Sequence, residues 1–296
     1  MHFGYSTMNN AAGMLPADLG RELEERGFES MWVPEHTHIP TSRLTPHPST
    51  NPIPDGYLHM MDPLVSLAAA ASVTNRLVLG TAVCLVLQHD VIALAKAAAT
   101  LDVVSGGRFV LGVGAGWNEE ELADHQPDLP FRLRYSAMAE RVAALRALWT
   151  DSEVGFAGRW DRVSPSSVYP KPVRGTIPIA LGNWGTLGIE HAARYADEWM
   201  PIDAMLRGPD GRIDVAAAIE RFRRAVAEHG RDPDDVAVSV FMFSRPTDTR
   251  IERYRALGIR RVVLSVPSAN VVPDSDIRRD LDEITPIVQR HRTNAQ

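Results

Sequence analysis

Cysteine is almost missing: Cys84 is the only one among 296 residues. That excludes an internal disulfide and a cysteine-built zinc site. Long apolar runs are missing too, and none reaches the roughly 18–20 residues a membrane helix needs. The N-terminal MHFGYSTMNN has no basic stretch followed by an apolar one, so no signal peptide is predicted. Positive charge is in short supply, with 31 Lys and Arg against 37 Asp and Glu and a net charge of −6. Binding to nucleic acid through bulk charge is therefore not expected. No Gly/Ser tract separates two halves, and no Gly-x-Ser-x-Gly elbow offers a serine nucleophile. What is present is ordinary: 45% apolar and 23% charged residues, which excludes a disordered chain, a collagen-like repeat and a coiled coil. The expectation is a soluble cytoplasmic enzyme acting on a small molecule, with no membrane partner.

β-rich runs alternate with helical patterns from end to end. Strands are predicted at His2–Ser6, Ser30–Pro34, Leu77–Val83, Arg108–Val113, Ile177–Leu181, Glu198–Ile202, Val236–Phe243 and Arg260–Val266. A helical pattern follows each of them. Leu15–Arg26 runs into Gly27, a suitable glycine for ending a helix. Met138, Val142, Leu145, Leu148 and Trp149 share a face at spacings of three and four. Asp214 is placed to cap a helix whose apolar face is Val215, Ile219, Phe222 and Val226.

Eight such repeats imply parallel strands, and a closed α/β barrel of the (β/α)8 TIM type is favoured over an open sheet. One domain spanning 1–296 is predicted. A barrel of this kind needs about 250 residues. The surplus of roughly 46 (296 less 250) falls in three insertions, at about 37–62, 118–134 and 151–176. The last contains VGFAGRW, which predicts a small hairpin around Ala157-Gly158.

Barrel chemistry sits at the C-terminal ends of the strands. That rule selects Ser6, Glu35, His36, Ala82 to Cys84, Gly114 to Trp117, Gly182 to Gly185, Trp199 to Pro201 and Phe243 to Arg245. His36, in Glu35-His36-Thr37-His38, is a candidate acid or base, because an imidazole titrates near neutrality. The competing readings are a His-x-His metal chelate and a histidine that merely braces its loop. Gly112-Val113-Gly114-Ala115-Gly116-Trp117 fails the dinucleotide fingerprint, since Trp stands where the last glycine is required. No helix is expected to start tightly after it, because Asn118 to Asp128 is polar and acidic. The glycines would instead let a flat ligand approach the strand-four backbone, with Trp117 as a wall. A plain glycine turn over a core tryptophan competes with that reading. Gly182-Asn183-Trp184-Gly185-Thr186 precedes a helix and suits an anion, or is an ordinary turn. Cys84 reads as a small buried hydrophobe. The arginines of Glu220-Arg221-Phe222-Arg223-Arg224 read as a solvated helix face.

Val91–Trp117, VIALAKAAATLDVVSGGRFVLGVGAGW, resembles the luciferase-like flavin and deazaflavin oxidoreductases, most closely the branch that uses coenzyme F420. Leu145–Trp149, Val154–Arg159, Tyr169–Pro172, Ile177–Ile179 and Ala192–Trp199 extend the resemblance in register across most of 25–200. It implies a deazaflavin lying across the strand ends and hydride exchange with a small organic substrate. An FMN-dependent monooxygenase and a non-catalytic binding barrel are the alternatives. It further implies that His36 is catalytic, acting as a general acid or a ring-orienting donor, and that Ala82-Val83 is a non-prolyl cis peptide. Gly114, Ala115, Gly116 and Trp117 would face the coenzyme, with Ser6, Glu35, Trp184 and Trp199 around it. Gly182 and Asn183 would hold its phosphate. Trp32, Trp117, Trp184 and Met60 would wall the pocket. The family's acid near strand four is not carried over, because Trp117 stands there. Two departures are Asn183 and Glu198, where relatives have glycine; a side chain at either would alter phosphate contacts or pocket shape. A homodimer is implied by the resemblance alone, and no metal. The 37–62 insertion would cover the mouth and offer His47, Tyr57 and His59 to the substrate. Arg43, Lys96, Arg159, Lys171 and Arg174 are the first places to look for positive charge to hold an anionic coenzyme tail.

Overall fold

Parallel strands buried on both faces need near-continuous apolar sequence, and the barrel strands here have it. The computed structural model describes residues 1–293 apart from 49, 51, 151, 209 and 267. In chain order the strands are β1 (His2–Ser6), β2 (Ser30–Val33), β3 (Val78–Thr81), β4 (Phe109–Val113), β5 (Val154–Ala157), β6 (Arg162–Ser166), β7 (Ile179–Leu181), β8 (Glu198–Trp199), β9 (Ala237–Met242) and β10 (Arg261–Ser265). Eight of them close a parallel barrel in the order β1-β10-β9-β8-β7-β4-β3-β2. The fold is the predicted (β/α)8 barrel. The remaining two, β5 and β6, pair antiparallel as the hairpin expected from VGFAGRW.

The helices are α1 (Pro16–Arg26), α2 (Pro63–Ala71), α3 (Val91–Val104), α4 (Glu119–His125), α5 (Arg134–Thr150), α6 (Thr186–Tyr195), α7 (Val215–Glu228), α8 (Asp248–Ala256) and α9 (Asp274–His291). Their starts follow local chemistry. Asp62, Asp90, Asp214 and Thr247 each accept a backbone N–H from the first turn that follows. Gly27 ends α1 at φ 84°, a left-handed conformation that suits glycine. β8 is two residues long rather than five, because Pro201 has no N–H for the ladder; Ile202 returns to the sheet as a single bridge to Phe241. None of the described helices is long and apolar enough to cross a membrane.

Two features of the interior position the site. At the lower, N-terminal end of the barrel, Arg261 reaches Glu29, Glu198 and Ser239, and its guanidinium lies 5.3 Å from the Trp32 ring centroid. Above that floor, Trp32, Val110, Ala180, Met200, Phe241 and Val263 pack together, with Ala82 and Val83 against them. The hairpin is fastened to α5 by Glu140, which accepts the N–H groups of Arg159, Trp160 and Asp161. A buried ion pair, Arg141 with Asp161 at 2.7 Å, adds to it.

Candidate functional site

Glu121, Trp117 and Tyr57 gather around His36 at the mouth. It follows β2 and is nearly buried, with a side-chain exposure of 6%. Its Nδ1 lies 2.7 Å from Oε2 of Glu121, whose side chain is fully buried. Its Nε2 accepts the indole N–H of Trp117 at 3.2 Å. An indole nitrogen can only donate, so Nε2 carries the lone pair and Nδ1 carries the proton given to Glu121. The second Glu121 oxygen accepts the Thr37 N–H at 3.2 Å. His36 and His38 do not converge on a metal position, because His38 turns to Asp124 at 2.9 Å.

Glu121 was not expected here, and neither was its helix. α4 begins directly after Trp117 although the segment is acidic, for two reasons. Asn118 accepts the N–H groups of Glu120 and Glu121 at 3.1 Å each, and three glutamates occupy the first turn, where the helix dipole favours negative charge. Asn118 followed three residues later by Glu121 is a capping-box spacing, and that signal was available in the sequence. The helix then fastens the 37–62 insertion. Glu120 accepts the Leu44 and Thr45 N–H groups, and the Thr45 amide holds its carboxyl below the ordinary value. His125 meets Thr37 Oγ1 at 2.8 Å. The insertion brings two of its expected contacts to the site. His47 lies 5.1 Å from Trp117 and 4.9 Å from Tyr57 between ring centroids, and Tyr57 lies 5.4 Å from His36. Burial pushes the Tyr57 phenol up. Burial, then the nearby His36, pulls the His47 imidazole down. His59 is exposed outside this group.

The Ala82-Val83 peptide is cis, and both residues are half-buried at the mouth. Val83 corrects the reading of the glycines. A Cβ on Gly114 would lie 2.3 Å from Val83 Cγ2, and one on Gly182 would lie 2.8 Å from Val83 Cγ1. The space those glycines leave is filled by the Val83 side chain. Ala115 is buried behind them, and Gly116 turns the chain at φ 76°.

At the turn before α6, Asn183 Oδ1 accepts from Tyr135 Oη at 3.4 Å, while its buried Nδ2 has no partner. No side chain caps α6, and a Cβ on Gly185 would meet open space. An exposed helix N-terminus beside an unpaired amide donor fits a phosphate group. Trp184 stands partly exposed there.

Four expected positions face elsewhere. Trp199 is fully buried and stacks on Phe222 of α7 at 4.5 Å, so its ring faces the helix layer; its indole N–H fixes the Asn183 carbonyl at 2.6 Å. Trp32 is buried inside the barrel over Arg261 and walls no pocket. Glu198 points to the barrel floor and pairs with Arg261, so this departure from relatives does not reach the mouth. Glu35 directs its oxygens to the Leu85 N–H and His89 Nε2 at 2.6 and 2.7 Å. Burial would raise its carboxyl, but these partners hold it below the ordinary value. Cys84 lies beside this pair, with its thiol pushed up by burial first and by Glu35 second. Ser6 is buried at the end of β1, in register with Ser265, and Met60 bridges Asn10. Lys96 and Lys171 hold the Tyr169 and Leu148 carbonyls, and Arg159 lies over Trp160. Arg134, which was not singled out because it sits at a helix start, donates Nε to the Gly116 carbonyl at 3.1 Å.

The closed parallel barrel is of the (β/α)8 class and carries the His36–Glu121 pair at its mouth. The sequence model of the luciferase-like monooxygenases matches residues 3–294, and the chain belongs to that family. An uncharacterised protein of Mycobacterium tuberculosis is 39% identical over 275 residues, covering 90% of this chain and 92% of its own. An F420-dependent glucose-6-phosphate dehydrogenase of Microbacterium testaceum is 28% identical over 262 residues, covering 86% and 72%. The structure of an F420-dependent secondary alcohol dehydrogenase, in complex with an F420-acetone adduct, superposes with a TM-score of 0.73 at 18% identity, covering 99% of each chain. At that identity the superposition speaks for the fold.

Proposed function

We propose that this chain is an F420-dependent dehydrogenase acting on a small molecule with a hydroxyl-bearing carbon. The observation that carries the reading is His36 at the mouth with Nε2 as a hydrogen-bond acceptor, the form needed to take a proton from a hydroxyl. The F420-dependent dehydrogenases among its relatives support the coenzyme.

Bound F420 would supply a two-electron hydride acceptor. The α6 N-terminus and Asn183 Nδ2 would hold its phosphate. Ala82 and Val83, half-buried beside Gly114 and Gly182, would form the surface behind its ring. Trp117 holds the position on Nε2 that a substrate hydroxyl would take, so the hydroxyl must displace the indole N–H. Tyr57 and His47, packed on His36 and Trp117, would exclude water and shape the substrate pocket.

The test is to titrate the protein with F420 and with FMN, following ring fluorescence, and then to supply oxidised F420 with a panel of primary and secondary alcohols. F420 binding and alcohol-dependent F420 reduction are expected. Binding of FMN without F420 would overturn the reading.

A further inference from the structure

We propose that Glu121 is a positioning residue that sets the protonation pattern of His36. This inference rests on the reading of His36 as the base.

Glu121 has no freedom to do otherwise. It is fully buried on a seven-residue helix whose start is fixed by Asn118. Its two oxygens accept from adjacent residues, Oε2 from His36 Nδ1 and Oε1 from the Thr37 N–H. Both partners are donors, and a carboxylate is the side chain that accepts at both ends. Nδ1 therefore keeps its proton, and Nε2 keeps its lone pair toward the mouth, where Trp117 marks the direction. When a substrate hydroxyl replaces the indole, its proton passes to Nε2. Bound deazaflavin would supply the acceptor for the hydride from the carbinol carbon, and the carbon–oxygen bond would become a carbonyl. The imidazolium formed is then paired with the Glu121 carboxylate in a buried setting, where such a pairing is strongest.

An amide breaks this logic. Gln at 121 has one acceptor oxygen and one donor NH2 group for two donors. Either the Thr37 N–H faces another donor, or the amide donates to Nδ1 and the imidazole proton moves to Nε2. A side chain with a merely structural role would leave the tautomer alone.

The experiment uses full-length protein labelled with 15N-histidine, with His36 assigned by comparison with His36→Asn. Nitrogen NMR should find wild-type His36 protonated at Nδ1 and Glu121→Gln shifted to Nε2. In steady state, Glu121→Gln should lower kcat by up to about 10⁴-fold, the scale seen when a carboxylate partner of a catalytic histidine becomes an amide. F420 affinity should stay within about twofold, and Glu121→Asp should restore part of the rate. Wild-type His36 protonated at Nε2 would overturn the proposal, as would Glu121→Gln with an unchanged tautomer and rate. If Glu121→Gln fails to fold, the wild-type spectrum and Glu121→Asp decide. Failure of the wild type to bind F420 would remove the dehydrogenase reading, while the tautomer measurement would still test Glu121.

Discussion

Replacing Arg261 with methionine should expose how the barrel floor is held. Arg261 gives Nε and Nη2 to the two Glu29 oxygens at 2.7 and 2.8 Å, and Nη1 to Glu198 at 2.5 Å and Ser239 at 3.2 Å. Side-chain exposure is 23% for Glu29 and 8% for Glu198, so Glu29 can recover water and Glu198 cannot. Removing one partner of a buried ion pair costs about 3–5 kcal/mol because a charge is left stranded. Domains of 150–250 residues lose roughly 2–4 °C per kcal/mol, with less for larger chains, so a fall in Tm of about 6–10 °C is expected. Arg261→Met combined with Glu198→Leu removes the stranded charge and should lie closer to wild type, since apolar replacement of a buried pair is often neutral. Urea unfolding of the four proteins in the cycle measures the coupling. F420 affinity, followed in parallel, should not move. Equal stability of the single and double variants would refute the argument, and a loss of F420 affinity at unchanged stability would place Glu198 at the mouth after all.

Gly114→Ala drives a Cβ to 2.3 Å from Val83 Cγ2. It should cost about 1–3 kcal/mol by overpacking, and Val83→Ala in the same chain should recover most of it in urea midpoints. Burial alone would lower the His89 imidazole, but its hydrogen bond to Glu35 and that carboxylate's charge raise it above its ordinary value of 6.5, while Glu35 is held below 4.5. A histidine raised on folding adds stability that is full below 6.5 and fades as pH climbs through the raised value; the Glu35 share fades as pH falls through its depressed value. The stability advantage of wild type over His89→Gln should therefore be greatest between 4.5 and 6.5 and shrink on the alkaline side. A constant gap from pH about 6 to 9 would contradict this. Asn183→Leu removes the unpaired amide at the α6 turn and should weaken F420 binding by about 10–100-fold, the worth of a hydrogen bond to a charged group, with kcat for an alcohol substrate little changed.

Repetition made the barrel legible. Eight apolar runs, each followed by a helical period, leave few other arrangements, and the hairpin and the Asp214 cap follow from two or three residues each. The candidate site was legible where local position suffices. His36 at a strand end needs only the strand, and Ala82-Val83 came from a resemblance in register. Side-chain direction was not legible. Trp199 and Trp32 sit on strands of two and four residues, where a shift of one position exchanges the barrel interior for the helix layer. Trp199 turned outward to Phe222, and Trp32 turned inward over Arg261. Glu121 was hidden differently. An acidic run of this composition reads as solvated surface, and only the pairing of Asn118 with the third glutamate distinguishes a capped helix from a loop.

That short helix has a consequence for how the protein can change. Glu120 grips the backbone of the 37–62 insertion, and its neighbour Glu121 grips His36. The segment that would meet the substrate and the imidazole that would meet its proton are thus tethered to adjacent residues of one turn. Neither can be repositioned without a pull on the other. A change in the insertion must either leave α4 where it stands or shift His36 at the same time.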